Sequence, residues 1–248
     1  MRNNLTVLIM MFLTGTIFPG VGVANPDYEE SERIIDICTV NLRCPAGFES
    51  QQIKRFSSLV NRGAQGLSLG LDGGEFITLT LKDYPKNVEG FRKYVFISYF
   101  TRVGYYLVHL QQYEGGTVYM YINARDGTIE TTNAFRHYSP DGEHYVASHV
   151  DIDYEFPDNW ISIMQLDSKG AQKEFSIIYQ PELVDGKSKY TGPANLKWVS
   201  VKRIEFEEIS IIGGRPPYIK NKAYLERESG KWVYHGSVDR KHLESIQR

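Results

Sequence analysis

From about Ile53 onward, short runs of apolar and polar residues alternate and are broken by Gly and Asp, the period expected of half-buried strands. Four segments share one grammar of strand, glycine turn and strand. They are 67–71 and 75–81 about Gly74, 118–123 and 128–132 about Gly127, 160–166 and 172–179 about Gly170, and 223–228 and 231–236 about Gly230. Hairpins recurring at this spacing predict a repeated antiparallel sheet.

The runs 94–100 and 105–110 are apolar on both alternating faces. In the first, Tyr94, Phe96 and Phe100 share one face and Val95, Ile97 and Tyr99 the other. A strand that is greasy on both sides needs cover on both sides, which stacked sheets supply. Runs 196–200 and 203–212 form another pair, and Glu207-Glu208 interrupts the second as a bulge would. Asp72-Gly73-Gly74, Asp126-Gly127, Asp141-Gly142 and Asp185-Gly186 have the chemistry of hairpin turns that need positive φ. Asp27 and Glu30 have the spacing of a capping box and predict a short helix over 28–37. Residues 44–47 read as a turn, 213–221 with Pro216-Pro217 as a loop, and the charged end 238–248 as a frayed helix. The expected fold is all-β, a small propeller-like domain of four or five short blades, with a β-sandwich or irregular barrel as the alternative.

The start of the 248-residue chain changes the picture. Arg2, an apolar stretch over 5–18 and the small residues Gly22-Val23-Ala24 match a signal peptide over 1–24, to be cleaved before Asn25. The apolar stretch is short for a transmembrane helix, and Gly15, Pro19 and Gly20 interrupt it. No later segment is apolar enough to span a bilayer. The expected organisation is therefore a leader, a segment over 25–50 and a single β domain over 51–248, in a periplasmic or secreted protein with no membrane span after cleavage. Cys38 and Cys44 are the only two cysteines, and in an exported chain that even count predicts a disulfide. The formal net charge of −2 lacks the basic excess that nucleic acid or anionic lipid requires.

Ser139-Pro140-Asp141-Gly142, followed by Tyr145-Val146-Ala147-Ser148, resembles the repeat signature of TolB-type β-propellers, in which an SPDG turn precedes a strand of small and apolar residues. The match covers about ten residues once; the other units keep the pattern without the string. The layout as a whole also resembles exported bacterial proteins in which a disulfide-bearing N-terminus precedes a small propeller-like domain. The resemblance implies a fold and a habit of binding partner proteins. Fold alone does not transfer function.

Three groups of residues bear on chemistry. Gly66-Leu67-Ser68-Leu69-Gly70 matches the nucleophile string of α/β-hydrolases, but it reads as a strand running into a hairpin, so Ser68 is expected to be a strand serine. His149, Asp151, Asp153 and Glu155 alternate and would share one face of an extended strand. Such a face would hold Ca²⁺ or Zn²⁺, serve as a glycosidase carboxylate pair, or simply be solvated on an edge strand. Trp160, Trp198 and Trp232 suit either a binding surface or core packing. No Walker A loop, dinucleotide fingerprint, HExxH or complete zinc-ligand set is present, so no cofactor is expected. These readings favour a non-enzymatic binding or scaffolding protein that engages an envelope or periplasmic protein through loops 113–116, 135–142 and 154–159. Tyr113, Phe135, His137, Tyr138 and Trp160 are the candidate contacts. The alternatives are an envelope polysaccharide or peptide hydrolase, and an enzyme inhibitor.

Overall fold

A computed structural model describes residues 25–38, 44–72, 78–85, 90–112, 118–150, 159–167 and 170–247; the expected leader over 1–24 lies outside them. The described chain opens with helix α1 (Pro26–Ile37). Its cap is Asn25, whose side-chain oxygen accepts from the Asp27 N–H at 3.3 Å, and Pro26 takes a first-turn position where a missing N–H costs little. The expected capping box does not form because both of its carboxylates are drawn into tertiary contacts. Asp27 accepts from the backbone N–H groups of Arg102 and Val103 at 3.1 and 2.9 Å. Glu30 pairs with Arg33 and Arg55 at 2.6 Å each and accepts the Ser98 hydroxyl.

Helix α2 (Phe48–Arg55) follows, where the sequence reading had only a turn and then strands. It buries Phe48 and Gln52, and Glu49 accepts from the Phe96 N–H at 2.7 Å. At eight residues it is too short for helical periodicity to stand out. The disulfide between Cys38 and Cys44, S–S 2.05 Å, joins the end of α1 to the approach to α2, with Cys38 buried. Closing so small a loop is worth about 2 kcal/mol by chain entropy. Reduction, or Cys38→Ser with Cys44→Ser, is expected to lower the denaturation free energy by about that amount while the far-UV spectrum is kept. An unchanged midpoint would show the bond to be energetically silent.

The remaining chain forms four antiparallel sheets among the described residues, each a meander of consecutive strands, with the chain's last strand added to the edge of the third. The first contains β1 (Val60–Gly63), β2 (Gly66–Gly70) and β3 (Thr78–Leu81). The second contains β4 (Arg92–Phe100), β5 (Tyr105–Gln112), β6 (Val118–Asn123) and β7 (Ile129–Thr132). The third is built from β8 (Arg136–Tyr138), β9 (His144–His149), β10 (Asn159–Asp167) and β11 (Gly170–Tyr179). The fourth holds β12 (Glu182–Val184), β13 (Lys187–Ser200), β14 (Arg203–Ile212), β15 (Arg215–Glu228) and β16 (Lys231–His235). A last strand, β17 (Leu243–Gln247), returns to pair with β11. The fold is all-β, its sheets following one another in a propeller-like or barrel-like succession.

The hairpins about Gly127, Gly170 and Gly230 form, as does the Asp185-Gly186 turn, where both residues take positive φ of 50° and 73°. Gly73 and Gly74 lie outside the described residues. Gly66, at φ +121°, turns β1 into β2 where a Cβ would run into the Leu81 backbone of β3.

Four local expectations are corrected. The sheet-4 bulge is not at Glu207-Glu208 but across from them, where Asn195 and Leu196 on β13 together oppose Phe206. Glu208 keeps the alternation by pointing inward, fully buried, and accepts from the Ser237 N–H at 2.9 Å, the Ser237 hydroxyl at 2.7 Å and the Tyr234 hydroxyl. Pro216-Pro217 belongs to β15, not to a loop. The register there skips from Ile212–Arg215 to Ser210–Ile219, so the prolines sit in an irregularity where no ladder N–H is required of them. The end is not a frayed helix: one short 3-10 turn, Arg240–His242, leads into β17. Finally, Phe100 does not share a face with Phe96. A bulge at Ile97 shifts the register, so Phe96 packs among Leu67, Leu69 and Tyr106 while Ile97 and Phe100 pack with Ile34 of α1 and Tyr138. Both faces of β4 are covered, as its composition required.

Three cores result. One lies between sheets 1 and 2. The second joins α1, sheet 2 and one face of sheet 3. The third joins the other face of sheet 3, through Val146, Ile161, Ile163, Phe175 and Ile177, to Trp198, Ile204, Phe206, Leu225 and Trp232 of sheet 4.

Candidate ligand-binding cleft

Sheet 3 has a face that its neighbours cover only in part. Register places Arg136, Ala147, Ser162 and Ser176 in one row across β8, β9, β10 and β11. Tyr145, Met164 and Lys173 form the next row, and Trp160 with Ile178 a third. Side chains alternate along each strand, and the bulge on β11 opposite Ile163–Met164 returns Lys173 to the face of Ser176 and Ile178, so all of these project to the same side. Together with Thr132 and Ala134 they line a cleft of about 470 Å³. Small residues, Ala147, Ser162 and Ser176, make its floor; the aromatic and long side chains make its walls. Ser162 and Ser176 bond each other across the floor at 2.8 Å.

One wall is Arg136, only 7% exposed. Its guanidinium carbon stands 3.9 Å from the Tyr121 ring centroid, 4.9 Å from Tyr145 and 5.6 Å from Tyr105. Ring faces attract a cation, more strongly when water is excluded. Its Nη2 pairs with Glu130, which also accepts the Tyr105 hydroxyl at 3.2 Å. The Arg136 backbone N–H donates to the Tyr121 hydroxyl at 2.8 Å. Burial opposes the charge of Arg136, but its pairing with Glu130 and the ring faces around it outweigh that, and the group stays cationic. The same burial raises Tyr121, Tyr138 and Tyr145 above the usual phenol range, so the cage is neutral. Lys173, exposed on β11, adds a second positive charge to the lining. Among the described residues, the lining holds no carboxylate, histidine or cysteine.

Of the contacts expected from sequence, Trp160 lines this cleft and is half-buried. Tyr138 is 1% exposed and packs at 4.7 Å on Phe100 and 5.9 Å on Tyr145, so it is a core residue and not a contact. Phe135 is half-buried between Tyr119 at 6.3 Å and His137 at 5.0 Å. His137 points away from the cleft; its carbonyl accepts from Trp198 Nε1 at 2.8 Å, and burial pushes its imidazole down to about 4. Segment 135–142 is therefore mostly strand and tight turn, not an open loop. Tyr113 lies outside the described residues, as do Asp151, Asp153 and Glu155 of the acidic strand face. His149 alone of that group is described, half-buried and paired in register with Trp160. Ser68 is a strand serine, opposite Asn61 and Thr80.

Sequence reading missed Arg136, Tyr145, Met164 and Lys173. The nearest local signal was the aromatic-small-aromatic alternation along β9 and β10, which reads equally well as core. No family model matches the chain, no curated protein matches it, and no solved structure matches it. No described helix is long and apolar enough to cross a membrane.

Proposed function

We propose that this chain is a binding protein, periplasmic or secreted, whose sheet-3 cleft receives an acidic, partly apolar segment of an envelope or periplasmic protein. The observation that carries the reading is the caged Arg136 beside Trp160 and Lys173. A cation kept charged in a nearly dry aromatic surround, next to an exposed lysine and a half-buried tryptophan, suits a carboxylate on an apolar or aromatic body. Among the described residues the lining supplies cations, hydroxyls and apolar surface, which suit binding. A disulfide and the leader-like start support export. Of the expected contacts Trp160 lines this cleft, while loop 113–116 and all of loop 154–159 but its last residue lie outside the described residues.

Trp160 provides the test, because Trp198 and Trp232 are each 1% exposed and Trp160 is the tryptophan that meets the cleft. Titration with glutamate-rich peptides bearing Tyr or Leu is expected to change Trp160 emission saturably. Lys173→Glu, an exposed change that leaves the fold intact, is expected to weaken binding at least about tenfold by charge reversal. Basic peptides binding equally well, or Lys173→Glu binding unchanged, would remove the proposal.

A further inference from the structure

We propose that the turn leading into β9 is a divalent-metal site, with Asp141, Glu143 and His144 as ligands and zinc as the ion it takes. One ligand atom from each of the three residues lies within 4.8 Å of the other two. Rotation of the exposed Glu143 side chain can bring such a set to zinc bond lengths of about 2.0–2.2 Å.

The second observation is the state of His144. It is 2% exposed, and neither ring nitrogen makes a hydrogen bond. A buried imidazole ordinarily satisfies at least one nitrogen. Glu174 is the carboxylate nearest to it, with Oε2 3.2 Å from Nε2, but Glu174 is already held by Arg227 Nη2 at 2.6 Å and Trp232 Nε1 at 3.0 Å. A carboxylate behind one nitrogen of an imidazole whose other nitrogen faces a metal is the usual outer support of a histidine ligand. With Glu174 in that place behind Nε2, we assign Nδ1 as the ligating nitrogen.

The turn is also built to present its oxygens. Asp141 Oδ1 is fixed by the Ser139 hydroxyl at 2.6 Å and by the Glu143 N–H at 3.0 Å, which leaves the second oxygen of Asp141 for an ion. Gly142, at φ +70°, lets the backbone fold so that Asp141 and Glu143 fall on one side. One imidazole and two carboxylates suit zinc or a similar first-row ion; Ca²⁺ would need six to eight oxygens. The site is distinct from the cleft, and it braces the strand that carries Tyr145 into the cleft wall and Ala147 into its floor.

The experiment is calorimetric titration of Zn²⁺ into metal-stripped protein carrying His235→Gln. That substitution disables the other cluster, Glu226, Glu228 and His235, as a competing site. One equivalent is expected to bind with a Kd near the micromolar range, at least about tenfold tighter than Ca²⁺. Zinc is also expected to raise the melting temperature. Glu143→Gln and Asp141→Asn should each weaken binding at least about tenfold and abolish that rise. Glu143 is exposed and its side chain makes no hydrogen bond or ion pair among the described residues, so the variant without zinc should melt with its parent. Binding weaker than about millimolar, binding unaltered by Glu143→Gln, or preference for Ca²⁺ would each overturn the proposal.

Discussion

Trp198→Ala is expected to lower the unfolding free energy by about 3–5 kcal/mol, the range for emptying a buried aromatic site. Trp198 is 1% exposed on β13, stands edge-on to Trp232 at 6.0 Å, and donates from Nε1 to the His137 carbonyl on β8 at 2.8 Å. It therefore supplies apolar volume to the third core and a polar tie between sheets 4 and 3. Truncation opens a cavity and leaves that carbonyl without its partner, two costs that add. Trp198→Phe retains most of the volume and loses the tie, so it should cost less. The neighbouring Val199 is 53% exposed, and Val199→Ala should stay within about 0.5 kcal/mol. Chemical denaturation at neutral pH distinguishes these; a loss below about 1 kcal/mol for Trp198→Ala would mean that the two sheets do not depend on this contact.

Stability should fall steeply as the pH drops from about 6.5 to about 4, and His137 should be the largest single source. Burial lowers its pKa from 6.5 to about 4, and Nδ1 is sealed without a partner. The unfolded chain thus takes up the proton first. The stabilising contribution is complete above the unfolded value near 6.5 and is lost progressively as pH falls toward the folded value near 4; below that both states are protonated and the slope ends. A shift of that size is worth about 3 kcal/mol. His109, also lowered by burial, adds to the same slope. Glu30 is lowered as well: burial raises it, but Arg33, Ser98 and Arg55 outweigh that, so its contribution is lost only when acid protonates it, below the ordinary carboxylate range. Asp27 acts in the opposite sense. Burial raises it, so its unfavourable contribution is relieved by acid. His137→Phe removes the titrating group and sacrifices no hydrogen bond of the ring. Denaturation at pH 7.5 and 4.5 is expected to show most of the wild-type difference gone in this variant; the full difference persisting would place the acid sensitivity elsewhere.

Much of the architecture was readable because its signals are local. Alternation marked the strands flanking Gly127, Gly170 and Gly230, a positive-φ dipeptide marked the turn at Asp185-Gly186, and an even cysteine count marked the Cys38–Cys44 bond. Each of these depends on neighbours within a few residues, so no knowledge of the rest of the fold was needed. The failures were places where a distant partner outbid the local preference. Asp27 and Glu30 left the helix cap for Arg102, Val103, Arg55 and Ser98. The charged end became a strand because β11 offered it an open edge. Glu208 stayed in register because Tyr234 and Ser237 could satisfy it inside. The cleft is the extreme case. Arg136 reads in sequence as one more polar strand residue. It becomes a caged cation only when β5, β6 and β9 bring Tyr105, Tyr121 and Tyr145 around it. Composition and periodicity thus determined that the chain is all-β and where its hairpins turn. Tertiary packing alone decided which face of sheet 3 stays open and which charges line it, because burial and cation–π contact are properties of several strands at once and belong to none of them singly.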